Sequence, residues 1–222
     1  MPKRKSALVA ATDHDRVTAP MRGIFEAVPT LLESLGFVVK AHFGDDALDS
    51  TVFTSGVALR DSTGSLQLAG FAAHGSEKGL HAADGMLLEL QQCTIFDRAI
   101  LILCSCMGNG EFPSAVTQLM QKNGGQRAVQ AVICYEPKLK VFPKGCKNKR
   151  LKSLQIDVLR DCIHEHFRLI GAGKTVGEAI AAVQRQWQLS VQKLPHGDMH
   201  FGMTWLANAD RVKCWGRPSS SI

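Results

Sequence analysis

Residues 99–104, AILILC, form the most apolar run in the chain, and Ser105, Cys106 and the loop residues Met107-Gly108-Asn109-Gly110 come directly after it. A run this short, with no strongly polar side chain and a glycine-rich stop, predicts a strand buried on both faces, as in the middle of a parallel sheet. Residues 6–11 (SALVAA), 37–43 (FVVKAHF), 66–73 (LQLAGFAA) and 128–134 (AVQAVIC) predict further strands, and 85–90 a short strand or helical turn. Between them the spacing changes. Ile24, Phe25, Val28, Leu31, Leu32 and Leu35 recur at helical intervals across 21–35, and Gly36 stops the pattern. Residues 48–59 predict a helix with Thr51, Val52 and Val57 inward, and 113–122 another, ended by Asn123-Gly124-Gly125. Residues 151–170 place Leu154, Val158, Leu159, Cys162, Ile163, Phe167 and Ile170 on one helical face, and Gly171 breaks it. Thr175 with Glu178 makes a capping box that opens a helix running to about Ser190. HFGMTWLANADRVKCWG reads as one further strand and a closing turn, and 217–222 as a frayed tail. This alternation predicts an α/β fold in a single domain spanning residues 1–222. It has a mainly parallel central sheet of about six strands with helices on both faces.

The 222 residues are 45% apolar, which suffices for one sizeable core. No run approaches the roughly 18–20 apolar residues of a membrane span, so no membrane association is expected. The basic start MPKRKSALVAA breaks at Thr12-Asp13-His14-Asp15 and does not read as a signal peptide. Seven cysteines, an odd number set mostly in apolar runs, predict free thiols and a cytoplasmic location. Part of the net charge of +6 is local, in KLKVFPKGCKNKRLK at 138–152. That segment reads as a solvated loop, a docking patch for an acidic partner or nucleic acid, or a cleavable activation loop. It lacks the interleaved aromatics of single-strand binders, so nucleic acid is not expected as a direct ligand.

Parallel sheets place ligands at the carboxyl ends of their strands. The strand over 66–73 runs into His74-Gly75, and that over 99–104 into Ser105-Cys106. If the two strands are neighbours, His74 and Cys106 stand side by side at one edge, each leading into a glycine-rich loop. A cysteine beside a histidine has the elements of nucleophilic acyl transfer: the thiolate attacks and the imidazole moves protons.

GFAAHGSEKGLHAADG resembles the histidine motif of caspase-like CHAT-domain cysteine peptidases, and AILILCSCMGNG resembles their cysteine motif. GGQRAVQAVICYEP is similar to that family's next core strand, GAGKTVGEAIAAVQRQW to its late helix and FGMTWLANAD, more loosely, to its final strand. The similarity runs from about Ser6 to about Asp210. Met107-Gly108 departs from the Ser or Thr that often precedes glycine after the family cysteine. The resemblance implies a caspase-like three-layer sandwich and a hydrolase of the thiol protease type. Cys106 would be the nucleophile and His74 the proton carrier, with the oxyanion held by the backbone N–H groups of Gly75 and Cys106. It demands no third orienting residue, no cofactor and no metal. It implies a protein substrate, a regulatory protein partner, and a role in defence or a programmed response. The pocket for the residue before the cut would carry Asp13, Asp15 and Glu136, which favour Lys or Arg; His14 and Arg16 on the same loop would favour an acidic residue. The alternative is a catalytically silent binding module with the same cleft.

Other motifs have plainer readings. GAGKT at 171–175 lacks the first glycine of a phosphate loop, since Arg168 stands there, and comes after a helix where a strand is required. It reads as a helix stop and a helix start. The loop TDHDRVTAP after the first strand holds no glycine, against a nucleotide-binding fold. Cys104, Cys106, His164, His166, His196 and His200 could be assembled into a zinc site, but no C-x-x-C pair exists and His164 and His166 point to different faces of a helix, so structural or surface histidines are the plainer reading. His81 reads as an exposed loop residue, with lining of the substrate cleft as the alternative.

Overall fold

A computed structural model of the chain describes residues 4–13, 15–16, 18–44, 51–82, 85–96, 98–106, 110–120, 126–135, 139, 148–194 and 198–222. Its elements in chain order are β1 (Ser6–Ala11), α1 (Ala19–Phe25), α2 (Val28–Ser34), β2 (Val38–Phe43), α3 (Thr51–Thr63), β3 (Leu68–Ala72), β4 (His74–Ser76), β5 (Gly79–Ala82), β6 (Gly85–Glu89), β7 (Ala99–Cys106), α4 (Glu111–Gln118), β8 (Val129–Tyr135), α5 (Lys149–Gly171), α6 (Val176–Ser190), α7 (Met199–Arg211) and β9 (Val212–Gly216). The central sheet has six strands in the order β2-β1-β3-β7-β8-β9. All its neighbours pair in parallel except β9, which runs antiparallel to β8.

Alternation along the strands divides the core. Ala7, Val9 and Ala11 of β1 pack with Phe25, Leu32, Phe167, Trp187 and Trp205 of the helices on one side. Leu8 and Ala10 pack with Val52, Leu59, Phe112 and Val116 on the other. Helices therefore cover both faces, and β1, β3 and β7 read as continuous apolar runs because neither face meets water. Gly70 in β3 lets α5 approach: a Cβ there would lie 2.3 Å from Phe167 Cζ.

The structure corrects several expectations. The helix over 21–35 is two helices, because Pro29 sits in the first turn of α2 and has no N–H to donate back into α1. Gly36 ends α2 at φ +86°, as a C-terminal glycine should. The segment 199–211 is helix α7 and not a strand; Trp205, Asn208, Ala209 and Val212 are buried at helical spacing, and only Val212–Gly216 continues as strand. Residues 217–222, read as a frayed tail, bond back to the start of α6. Pro218 and Ser220 carbonyls accept the Gly177 and Val176 N–H groups at 2.8 and 2.9 Å, satisfying donors that the start of α6 leaves open. Lys5 Nζ donates to the Ile222 carbonyl at 3.3 Å. The basic run 138–152 is helical at its end, where the Asn148 side chain caps α5 and Lys149, Arg150 and Lys152 lie in its first turns. Leu139 is buried in the core, and the rest of that run lies outside the described residues. Around GAGKT, Gly171 closes α5, Gly173 adopts φ +85°, and the reciprocal Thr175–Glu178 box opens α6. Among the described residues no helix is long and apolar enough to cross a membrane.

Two predictions test this packing. Gly70→Ala drives a methyl into the Phe167 ring and is expected to cost about 1–3 kcal/mol in denaturant unfolding. His166, fully buried in α5 with no partner among the described residues on either ring nitrogen, is pushed down to about 3 by burial. The unfolded chain takes up that proton near pH 6.5 and the folded one does not until near 3. Stability is therefore complete above about 6.5 and lost as pH falls below it, by roughly 1.4 kcal/mol per unit. Urea unfolding at pH 7 and pH 5 is expected to show a smaller loss in His166→Leu than in the wild type.

Candidate active site

Strand order brings the chemistry-bearing tips together. β1, β3, β7 and β8 are consecutive in the sheet, and the first three carry Asp13 and Asp15, His74, and Cys106 at or just beyond their carboxyl ends. β3 and β7 pair in parallel, with Ala72 opposite Cys104. His74 and Cys106 thus each lie two residues past the same rung. The condition left open by the sequence, that these strands be neighbours, is met.

The tip of β7 is irregular. Its register with β8 runs from Leu103↔Cys134 directly to Cys106↔Tyr135, so one step on β8 spans three on β7. Such a bulge bends the strand end and re-aims the next residue. The backbone of Cys106 is placed as the last residue of β7; its side chain lies outside what the structure describes. Cys104 is buried in the core, and burial, with Cys134 nearby, pushes its thiol well up. Cys104 is therefore a packing residue and a poor source of thiolate. Burial also raises Cys93, Cys162 and half-buried Cys214.

His74 opens β4, its side chain 42% exposed, and its Nε2 lies 2.6 Å from Asp15 Oδ2. The other Asp15 oxygen, Oδ1, accepts the Thr18 N–H at 2.8 Å and the Thr18 hydroxyl at 3.0 Å. One carboxylate thereby ties the start of α1 to the imidazole. Because a carboxylate only accepts, Nε2 of a neutral His74 carries the proton and Nδ1 is the basic nitrogen. Asp15, read from the sequence as a pocket carboxylate, lies against the imidazole of His74 in the structure. Asp13 is likewise committed, since Arg22 donates to it at 2.6 Å and bonds Glu26 as well, and those carboxylates raise the guanidinium further. Glu136 and His14 lie outside the described residues, and Arg16 is exposed.

The small sheet that His74 opens is not visible in the sequence pattern. β4, β5 and β6 form a three-stranded antiparallel sheet that places His81 directly opposite His74 and Gly75 opposite Leu80. Ser76 Oγ lies 2.6 Å from His81 Nε2. His81 is half-buried on a strand and is not an exposed loop residue. The signal for it is the tight turn Ser76-Glu77-Lys78-Gly79, whose glycine adopts φ +147° where Leu88 O comes close.

A scan against protein-family models finds no match to the chain, and a search of curated proteins finds none. Among the described residues no group of His, Cys, Asp and Glu could hold a metal ion. The arrangement provides an oriented imidazole beside a cysteine-bearing strand tip, the minimum for thiol-based acyl transfer. In ¹⁵N-labelled protein with its imidazole neutral, His74 is expected to be protonated at Nε2, and Asp15→Ala to convert it to a mixture of tautomers. An unchanged ring spectrum in the variant would remove Asp15 from the site.

Proposed function

We propose that the chain is a cysteine endopeptidase of the caspase-like CHAT type. One observation carries the reading: parallel pairing of β3 and β7 sets His74 and Cys106 level at one edge, with Asp15 bonded to the imidazole. The six-stranded, mainly parallel sheet covered by helices on both faces fits a caspase-like sandwich. The core position of Cys104 favours Cys106 as the nucleophile.

In this reading His74 Nδ1 takes the Cys106 thiol proton and Sγ attacks the scissile carbonyl. Backbone N–H groups of Gly75 and Cys106 hold the oxyanion. As the tetrahedral adduct collapses, the C–N bond breaks and the imidazolium gives its proton to the leaving amine. Water, activated by the same nitrogen, then releases the acyl group from sulfur. Asp15 keeps the ring in the tautomer these transfers require, as an orienting carboxylate does in other dyads and triads. A protein substrate, and a regulatory partner acting on the basic segment between β8 and α5, belong to the same proposal.

The test is covalent labelling by peptidyl acyloxymethyl ketones bearing Lys, Arg or Asp before the reactive carbon, with the modified residue located by mass spectrometry. Labelling is expected at Cys106, absent in Cys106→Ala and slowed about 100-fold or more in His74→Ala. Modification spread over several thiols at rates indifferent to His74 would sink the peptidase and leave the silent binding module.

A further inference from the structure

The amino-terminal edge of the sheet, opposite His74 and Cys106, carries a second cluster of charge. β7 and β8 both begin there, joined by a bond from the Ala99 N–H to the Ala128 carbonyl at 3.1 Å. Arg98 therefore emerges beside Arg127. β9 runs antiparallel to β8, so it ends at this edge and delivers Arg217 just after Gly216. The three arginines, with Met120, Gln126 and Gln130, line a cleft of about 460 Å³.

All three guanidinium-bearing residues are exposed, none has a carboxylate partner among the described residues, and none of the described lining residues is acidic. Elsewhere Arg22, Arg60, Arg160 and Arg168 each sit against a carboxylate. Like charges gathered around one recess repel one another unless an anion joins them.

The cleft is also built. Arg98 has φ +58°, the only positive φ of a non-glycine among the described residues, a conformation that persists only where its surroundings hold it. With the Gln130 amide turned so that its oxygen faces Arg98, that oxygen accepts from Arg98 Nε and Nη2 at 2.7 and 2.9 Å and its nitrogen donates to the Ser220 hydroxyl at 3.1 Å. The Arg217 N–H donates to the Gln130 carbonyl at 3.0 Å. Gly216, at φ +91°, permits that turn, since a Cβ would lie 2.4 Å from the same oxygen. Gln130 thus holds Arg98 by its side chain and positions Arg217 by its backbone.

We propose that this cleft binds a small molecule bearing two linked phosphate groups. Planar guanidinium forks match phosphate oxygens in pairs, and about three negative charges on a diphosphate balance three arginines. The volume lies within the roughly 300–1,000 Å³ of small-ligand sites, and half-exposed Met120 offers apolar surface for the rest of the ligand. A nucleic-acid strand is disfavoured because the described lining has no aromatic side chain to stack a base. The proposal is independent of the peptidase reading.

Isothermal titration of the full chain with inorganic pyrophosphate and with ADP tests it. Saturable one-to-one binding is expected, weakened about tenfold by Arg127→Gln and by Arg217→Gln and unchanged by Arg160→Gln. Arg127 and Arg217 are exposed, so thermal melts of these variants are expected to match the wild type. ADP binding more tightly than pyrophosphate would assign a nucleoside diphosphate; equal affinity would assign the diphosphate group itself. No saturable binding of either at millimolar concentration, binding that survives the double variant, or binding of a single-stranded RNA oligomer but not of pyrophosphate would each overturn it.

Discussion

Parallel pairing between β3 and β7 is the constraint on which the candidate site depends. Ala72 faces Cys104 across that ladder, so both chains leave the sheet in step and deliver His74 and Cys106 to the same edge. The pairing survives because the strands are buried on both faces, where every backbone N–H and C=O must find a partner in the ladder. Close packing sets how near the flanking layer comes: Gly70 admits the Phe167 ring, and α5 lies correspondingly close to the middle of the sheet. A shift of one residue in this register would exchange the two core faces and separate the tips.

Around that frame the charged groups divide by edge. At the carboxyl edge they neutralise and orient one another: Arg22 bridges Asp13 and Glu26, and Asp15 joins Thr18 to His74. At the amino edge three arginines gather without a carboxylate among the described residues, one of them in a strained backbone conformation. β7 begins at the arginine edge and ends beside the strand that leads into His74, so one sheet spans the two edges. Burial sorts the cysteines in parallel fashion. It makes Cys104 part of the packing, while Cys106 stands at the bulged tip.

Errors of sequence reading have particular causes. Residues 199–211 read as strand because Phe201, Met203 and Trp205 alternate at two-residue spacing, yet Trp205, Asn208 and Ala209 share a helical face whose partner, α6, lies close only in the folded chain. The serine-rich tail has the composition of a frayed end and is held by backbone bonds to the first turn of α6. Composition does not reveal such bonds, because they involve no side chain. Asp15 is legible as a carboxylate near a strand tip, but its contact with His74 spans 59 residues of sequence and depends on β1 lying next to β3.

The sequence by itself determined the class of fold, most strand positions, the capping box at Thr175 and the placing of His74 and Cys106 just past apolar strands. These arise from local periodicity and turn chemistry, which short segments carry without their neighbours. Only the tertiary structure decided the strand order, the antiparallel seating of β9, the meander that sets His81 across from His74, and the convergence of Arg98, Arg127 and Arg217. Each of these is a meeting of segments distant along the chain. Such meetings are chosen by the packing of the whole core, and no single segment's pattern encodes them.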